Sequence, residues 1–263
     1  MPVPNTAETR VRAAAAPGKR PDPAARSAVI MTGMGVPYAA PPNLPTHMTW
    51  EELELLPEEI AGQIELWNGR VVWARRGPAE HQDCTVEFRN ALRRCARADT
   101  AERPDRCWRV SVETNVFLGD TGKSDFLTPD FLVYGCLAER YQDIRASDVH
   151  LVGEVLSPSN TPRDIETKKM RYAAAGIPWY WEVLLGRDPH PTTIVRAYGL
   201  ESGPAQLPSG VTSLRPANYI IAGEWRSGIS AAEDGMDCDV FDPAGITFDF
   251  PFPIRIPWSE LEY

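Results

Sequence analysis

The chain has 263 residues, with 27 Lys and Arg against 36 Asp and Glu and a formal charge of −9. That is length enough for one large domain with its own core. A charged fraction of 24% and a hydrophobic fraction of 43% exclude a wholly disordered chain, and no apolar run approaches the roughly 18 residues of a membrane span. Cys84, Cys95, Cys107, Cys136 and Cys238 form no CxxC pair. Their pattern speaks against a disulfide framework or a zinc knuckle and predicts a reducing, cytoplasmic setting. No apolar stretch follows the N-terminal charges as a secretory leader would need. The acidity disfavours a protein that holds nucleic acid by bulk charge.

In chain order, residues 1–43 come first, with eight prolines, the alanine run Ala13–Ala16 and a net charge of +3. A segment so poor in large apolar groups predicts a disordered tail, leaving a body, residues 44–263, of charge −12. Thr49 followed by Glu52 is a capping-box pattern for a short helix that stops near Pro57. Ile64–Trp67 and Arg70–Trp73 flank Asn68-Gly69 and predict a hairpin with a type I′ turn. Residues from about His81 to Ala98 have helical spacing, with Val86, Leu92 and Cys95 as the apolar face and arginines opposite. Strands are predicted at Trp108–Leu118, Asp130–Tyr134 and Leu151–Leu156. A helix at about Pro162–Ala175 and a strand at Trp179–Leu185 follow, with Trp179-Tyr180-Trp181 as core. The order predicts an α/β fold, a mixed sheet flanked by helices. Short strand-like stretches at Thr193–Tyr198, Tyr219–Ala222 and Ile246–Phe250 predict an accessory β region.

Three positions carry charge where packing alone would place none. Glu154 interrupts the apolar run Leu151–Leu156, and an isolated buried carboxylate costs several kcal/mol unless it is paired or binds a metal. Asp130 follows Pro129 and leads directly into Phe131-Leu132-Val133-Tyr134; turn or capping duty is its ordinary role. If the two strands pair, at about 4.8 Å spacing, Asp130 and Glu154 together suit a hard cation such as Mg²⁺. In Thr161–Tyr172, Thr161 is the N-cap, Pro162 the first helical residue and Asp164 the third. Asp164, Lys168 and Tyr172 then stack at spacings of four, near the end of the Glu154 strand. A surface ion pair is the plain alternative for Asp164 and Lys168.

These residues carry a resemblance. Pro129-Asp130, Gly153-Glu154-Val155-Leu156-Ser157-Pro158-Ser159 and Asp164-xxx-Lys168-xxx-Tyr172-xxx-Gly176-Ile177-Pro178-Trp179-Tyr180-Trp181 look like the Uma2 family of restriction-endonuclease-like proteins. That family is similar to the PD-(D/E)xK nucleases. Ile64–Gly69 and His81 match the same pattern, over about residues 46–255. The resemblance implies a restriction-endonuclease-like fold for residues 44–263, with Asp130 and Glu154 as metal ligands. It implies Lys168 as the catalytic lysine, because Leu156 stands two residues after Glu154 where a lysine is usual. It adds Glu65 as a further metal ligand, and His81 and Tyr172 as substrate contacts.

The function so implied is metal-dependent hydrolysis of DNA phosphodiester bonds, with Mg²⁺ as cofactor and Mn²⁺ as its substitute. Two other readings stand beside it: a nucleic-acid-binding or regulatory protein that kept the fold and lost turnover, and a metal-dependent hydrolase of another substrate. Residues 88–109 carry a local charge of +4. Arg89, Arg93 and Arg97 share a helical face there, which predicts a surface facing DNA, or else a solvated helix face. Cutting both strands of a duplex suits a homodimer. No membrane partner is expected.

Overall fold

The structure, a computed structural model, describes residues 43–74, 77–156, 160–186, 192–202, 217–227 and 244–262. The expected tail, apart from Asn43, and Cys238 lie outside these residues. The described residues open with two single-turn helices, α1 (Trp50–Leu53) and α2 (Glu58–Ala61). The capping box is present: Thr49 Oγ1 accepts from the Glu52 N–H at 3.3 Å, and Glu52 Oε2 accepts from the Thr49 N–H at 2.8 Å. The hairpin β1 (Ile64–Trp67) and β2 (Arg70–Trp73) follows. Asn68 at φ 51° and Gly69 at φ 78° supply the two left-handed residues of a type I′ turn.

Helix α3 (Ala79–Glu102), strand β3 (Trp108–Val112) and the short strands β4 (Val116–Phe117) and β5 (Phe126–Leu127) come next. Then follow β6 (Phe131–Gly135), β7 (Ile144–Arg145), β8 (Val149–Leu156), helix α4 (Pro162–Ala174) and β9 (Trp179–Leu185). The chain ends with β10 (Thr192–Ser202), β11 (Ala217–Arg226), β12 (Ile246–Phe248) and β13 (Ile254–Ile256). A small sheet runs in the order β2-β1-β5-β4-β7, and the main sheet in the order β11-β10-β9-β8-β6-β3. In the main sheet β8 and β9 are parallel, as strands joined by a crossover helix must be. Its other neighbours are antiparallel.

Helix α3 and the β12–β13 hairpin cover one face of the main sheet, burying Phe88, Leu92, Phe131, Leu151, Trp181 and Ile254. Helix α4 covers the other face over Leu132, Val152, Tyr172, Tyr180 and Tyr198. Tyr180 and Trp181 are fully buried, in keeping with their reading as core.

Four expectations change. Val86 is 44% exposed; the buried stripe of α3 runs through Cys84, Phe88, Ala91, Leu92 and Cys95, because the helix is longer than expected and turned so that Phe88 faces the sheet. The stretch Trp108–Leu118 is two strands in two sheets, broken at Glu113, whose φ of 43° ends an extended chain. β10 and β11 are not accessory: β10 pairs with β9 along its length and extends the main sheet. Cys107 and Cys136 form a disulfide, Cα–Cα 5.3 Å. The pairing of β3 with β6 sets Trp108 opposite Gly135 and so brings together two cysteines whose sequence spacing carries no signal. Among the described residues no helix is long and apolar enough to cross a membrane.

Candidate active site

β6 and β8 pair with Phe131 opposite Gly153. Asp130 and Glu154 are therefore opposite one another one step further on, on the face that Leu132 and Val152 share. Gly153 is required here. The Phe131 ring lies directly over it, and an added Cβ would fall 2.0 Å from Phe131 Cζ. Asp130 is held from two sides: the Val155 N–H donates to its Oδ2 at 2.6 Å, and His81 Nε2 is 3.2 Å from the same oxygen. Its Oδ1 has no hydrogen-bond partner among the described residues.

Glu154 is 7% exposed. Lys168 Nζ donates to Glu154 Oε1 at 3.2 Å and to Oε2 at 3.1 Å, and the Tyr172 hydroxyl donates to Oε1 at 2.7 Å. The crossover delivers both groups. Thr161 caps α4 by accepting from the Asp164 N–H at 3.2 Å, which starts the helix so that Lys168 and Tyr172, one turn apart, face the strand. Asp164 itself stays at the exposed cap. The same Lys168 ammonium lies 3.2 Å from Glu65 Oε1. Glu65 is buried in β1 and anchored by the Thr128 N–H and by Trp67 Nε1, each at 3.0 Å.

Burial shifts these groups strongly. It pushes the Glu154 carboxyl up to about 7, with the Asp130 and Glu65 charges adding to the effect and Lys168 opposing it. Burial alone would lower Lys168, but the carboxylates of Glu154, Glu65 and Asp130 outweigh it and raise its pKa. At His81 burial again disfavours the charged form, and Asp130, with Glu154 and Glu113, reverses that and raises the pKa.

A cleft of about 570 Å³ opens onto this constellation, lined by Trp50, His81, Glu113, Thr128, Asp130 and Lys168 among others. The expected residues thus divide. Asp130, Glu154, Lys168, Glu65 and His81 are assembled. Tyr172 is not a substrate contact: it is fully buried and acts by orienting Glu154. Arg89, Arg93 and Arg97 lie further along α3, away from the cleft.

Sequence reasoning missed two things. Glu113 lines the cleft and accepts from Gln82 Nε2 at 2.8 Å; its only signal was a charge interrupting an apparently continuous strand. Glu182, in register with Glu154, is a second buried acid under α4. Lys169 meets it at 2.7 Å and the Tyr198 hydroxyl donates to it at 2.7 Å. A glutamate in the apolar run Trp179–Leu185 is the same signal that singled out Glu154.

Among the described residues no three His, Cys, Asp or Glu side chains converge as a metal cage. Asp130 and Glu154 offer carboxylate oxygens alone, one of them unpartnered among the described residues, and two acids, Glu154 and Glu65, meet a single ammonium. That set fits a Mg²⁺-like ion held by one or two carboxylates and completed by water and phosphate oxygens. It does not fit a closed protein site.

A family model described as "Uma2: Putative restriction endonuclease" matches residues 50–188. Among curated proteins no relative matches. The chain is similar to a solved structure described as "a putative nuclease belonging to DUF820 from Anabaena variabilis", at 15% identity and a TM-score of 0.48, over 81% of this chain and 97% of that one.

Proposed function

The chain belongs to the Uma2 family, and on that premise we propose that it is a metal-dependent endonuclease that hydrolyses DNA phosphodiester bonds at the Asp130–Glu154–Lys168 cleft. One observation carries the reading: two carboxylates stand opposite one another on paired strands at a cleft, and a lysine from the crossover helix meets one of them, with Lys168 Nζ 3.1 Å from Glu154 Oε2. Asp130 and Glu154 would hold Mg²⁺ or Mn²⁺, which supplies Lewis acidity toward the phosphate oxygens and toward water.

The chain's own residues do the rest. The Val155 N–H and His81 fix the Asp130 carboxylate, and Tyr172 fixes that of Glu154. Lys168 brings a point charge toward the phosphate and the attacking water. Glu65 holds that ammonium from behind. In this reading His81, which lines the cleft beside Asp130, is a candidate substrate contact, and Glu65 acts as an anchor for Lys168 more than as a third ligand.

A supercoiled plasmid incubated with the purified chain tests this. Nicked or linear product with Mg²⁺ or Mn²⁺, and none with a chelator, is the expected outcome. Nicked product ahead of linear product would mean one cleft cutting one strand per encounter, and linear product without a nicked intermediate would mean two clefts acting together, as in a homodimer. Lys168 already occupies both Glu154 oxygens, which favours a second reading in which DNA is bound and not cut. Binding without product under every cation would establish that reading.

A further inference from the structure

Arg89, Arg93 and Arg97 on α3 and Arg109 on β3 lie outside the cleft, and none of these four has a carboxylate partner among the described residues. Arg89 bonds only to the neighbouring Asn90 side chain, at 3.3 Å. All four line one groove of about 720 Å³ between α3 and the β3 edge of the main sheet, and Ser111 and Tyr134 form part of its wall. They crowd one another: the charges of Arg97, Arg89 and Arg109 hold the Arg93 guanidinium below its ordinary pKa. Repulsion of this kind within a folded surface is relieved by an anion, and spacings of four set the three helical arginines about 6 Å apart along the axis.

The groove and the cleft share no lining residue, but two elements run from one to the other. Helix α3 begins at the cleft with His81 and Gln82, and β3 runs from Arg109 through Ser111 toward Glu113 at the cleft wall. At 1.5 Å per residue, Arg89 lies about 12 Å and Arg97 about 24 Å along the helix from His81. One strand of DNA advances about 3.4 Å per phosphate.

We propose that this groove binds the phosphate backbone of the substrate on one side of the cut, so that the protein requires a polynucleotide extending about seven nucleotides beyond the scissile phosphate. The identity of the anion rests on the nuclease reading; the existence of the anion site does not. An acidic polypeptide is the rival occupant, and the regular charge spacing together with the run of α3 and β3 from the groove to the cleft favours the nucleic acid.

The test is fluorescence anisotropy of labelled duplexes, from about 6 to about 20 base pairs, with the full chain in chelator. Wild type should gain affinity with length and level off once the flank covers the groove. Arg93→Ala/Arg97→Ala, shown to be folded by circular dichroism, should lose about tenfold in affinity for the long duplexes and little for the shortest. Its salt slope should fall by about two. Equal affinities for wild type and variant at every length would overturn the groove, as would poly-glutamate competing as well as DNA of equal charge.

Cleavage of the same duplexes with Mn²⁺ separates the two claims. A length dependence of binding that the variant abolishes, with no cleavage by wild type, sustains the groove and sinks the nuclease reading. Normal cleavage of long duplexes by the variant sinks the groove alone.

Discussion

Against α3 the main sheet presents rings and aliphatic groups: Phe88 stacks on Phe131 with centroids 5.2 Å apart, and Trp181 meets Phe248 and Trp225. Against α4 the same strands turn carboxylates inward, Glu154 beside Glu182, each met by a lysine from α4 and a tyrosine hydroxyl. Burying a ring is favourable without a partner, at about 25 cal/mol per Å² of apolar surface. Burying a carboxylate costs several kcal/mol before its partners are counted. The α3 face therefore holds the sheet together, and the α4 face spends part of that stability on keeping charge beside the cleft.

Truncating each face should expose the difference. Phe88→Ala empties the space above Phe131 and should cost about 3–5 kcal/mol in urea denaturation, with cleavage by the folded fraction near normal. Lys168→Met leaves Glu154 and Glu65 buried without their counter-charge. A loss of comparable size, about 3 kcal/mol, is expected together with a fall in cleavage of about two orders of magnitude. Adding Glu154→Gln to Lys168→Met should restore much of the stability and none of the activity, a separation that no double change on the α3 face would give.

Smaller effects sharpen the comparison at its edge. The Cys107–Cys136 link closes a loop of sequence separation 29 between β3 and β6, and Cys107→Ser should cost about 2–4 kcal/mol. In the intact protein neither cysteine should react with maleimide until a reductant is added.

The smallest effect is a pH dependence that belongs to the α4 face. Glu154 titrates near 7 in the folded chain and near its ordinary 4.5 when unfolded. The folded state thus binds its proton more tightly. That contribution to stability is present below 4.5 and is lost as pH rises through about 7. Melting temperature without divalent cations should decline over that window in wild type, and the decline should be shallower in Glu154→Gln.

Much of this was legible in the sequence where local chemistry decides. The Thr49–Glu52 box, the Asn68-Gly69 turn, the Thr161 cap and the misplaced charges of Asp130 and Glu154 each carry a short-range signal, and each is where it was expected. What escaped depends on contacts distant in sequence. The split at Glu113 assigns two halves of one apolar stretch to different sheets. The rotation of α3 that exposes Val86 follows from Phe88 stacking on Phe131. Cys107 meets Cys136 only through strand register. Tyr172 has the right spacing for the site, yet its full burial, set by Tyr180 and Glu154 around it, turns a substrate contact into a support for Glu154.

The central claim is that Asp130 and Glu154 act together in phosphodiester hydrolysis. The most direct test is the Mn²⁺-supported cleavage rate of a labelled duplex by wild type, Asp130→Asn and Glu154→Gln, with Mn²⁺ binding to each measured by calorimetry. Wild type should cut and bind the ion, and each variant should lose at least about 100-fold in rate along with its ion binding. Cleavage at wild-type rate in both variants would contradict the account.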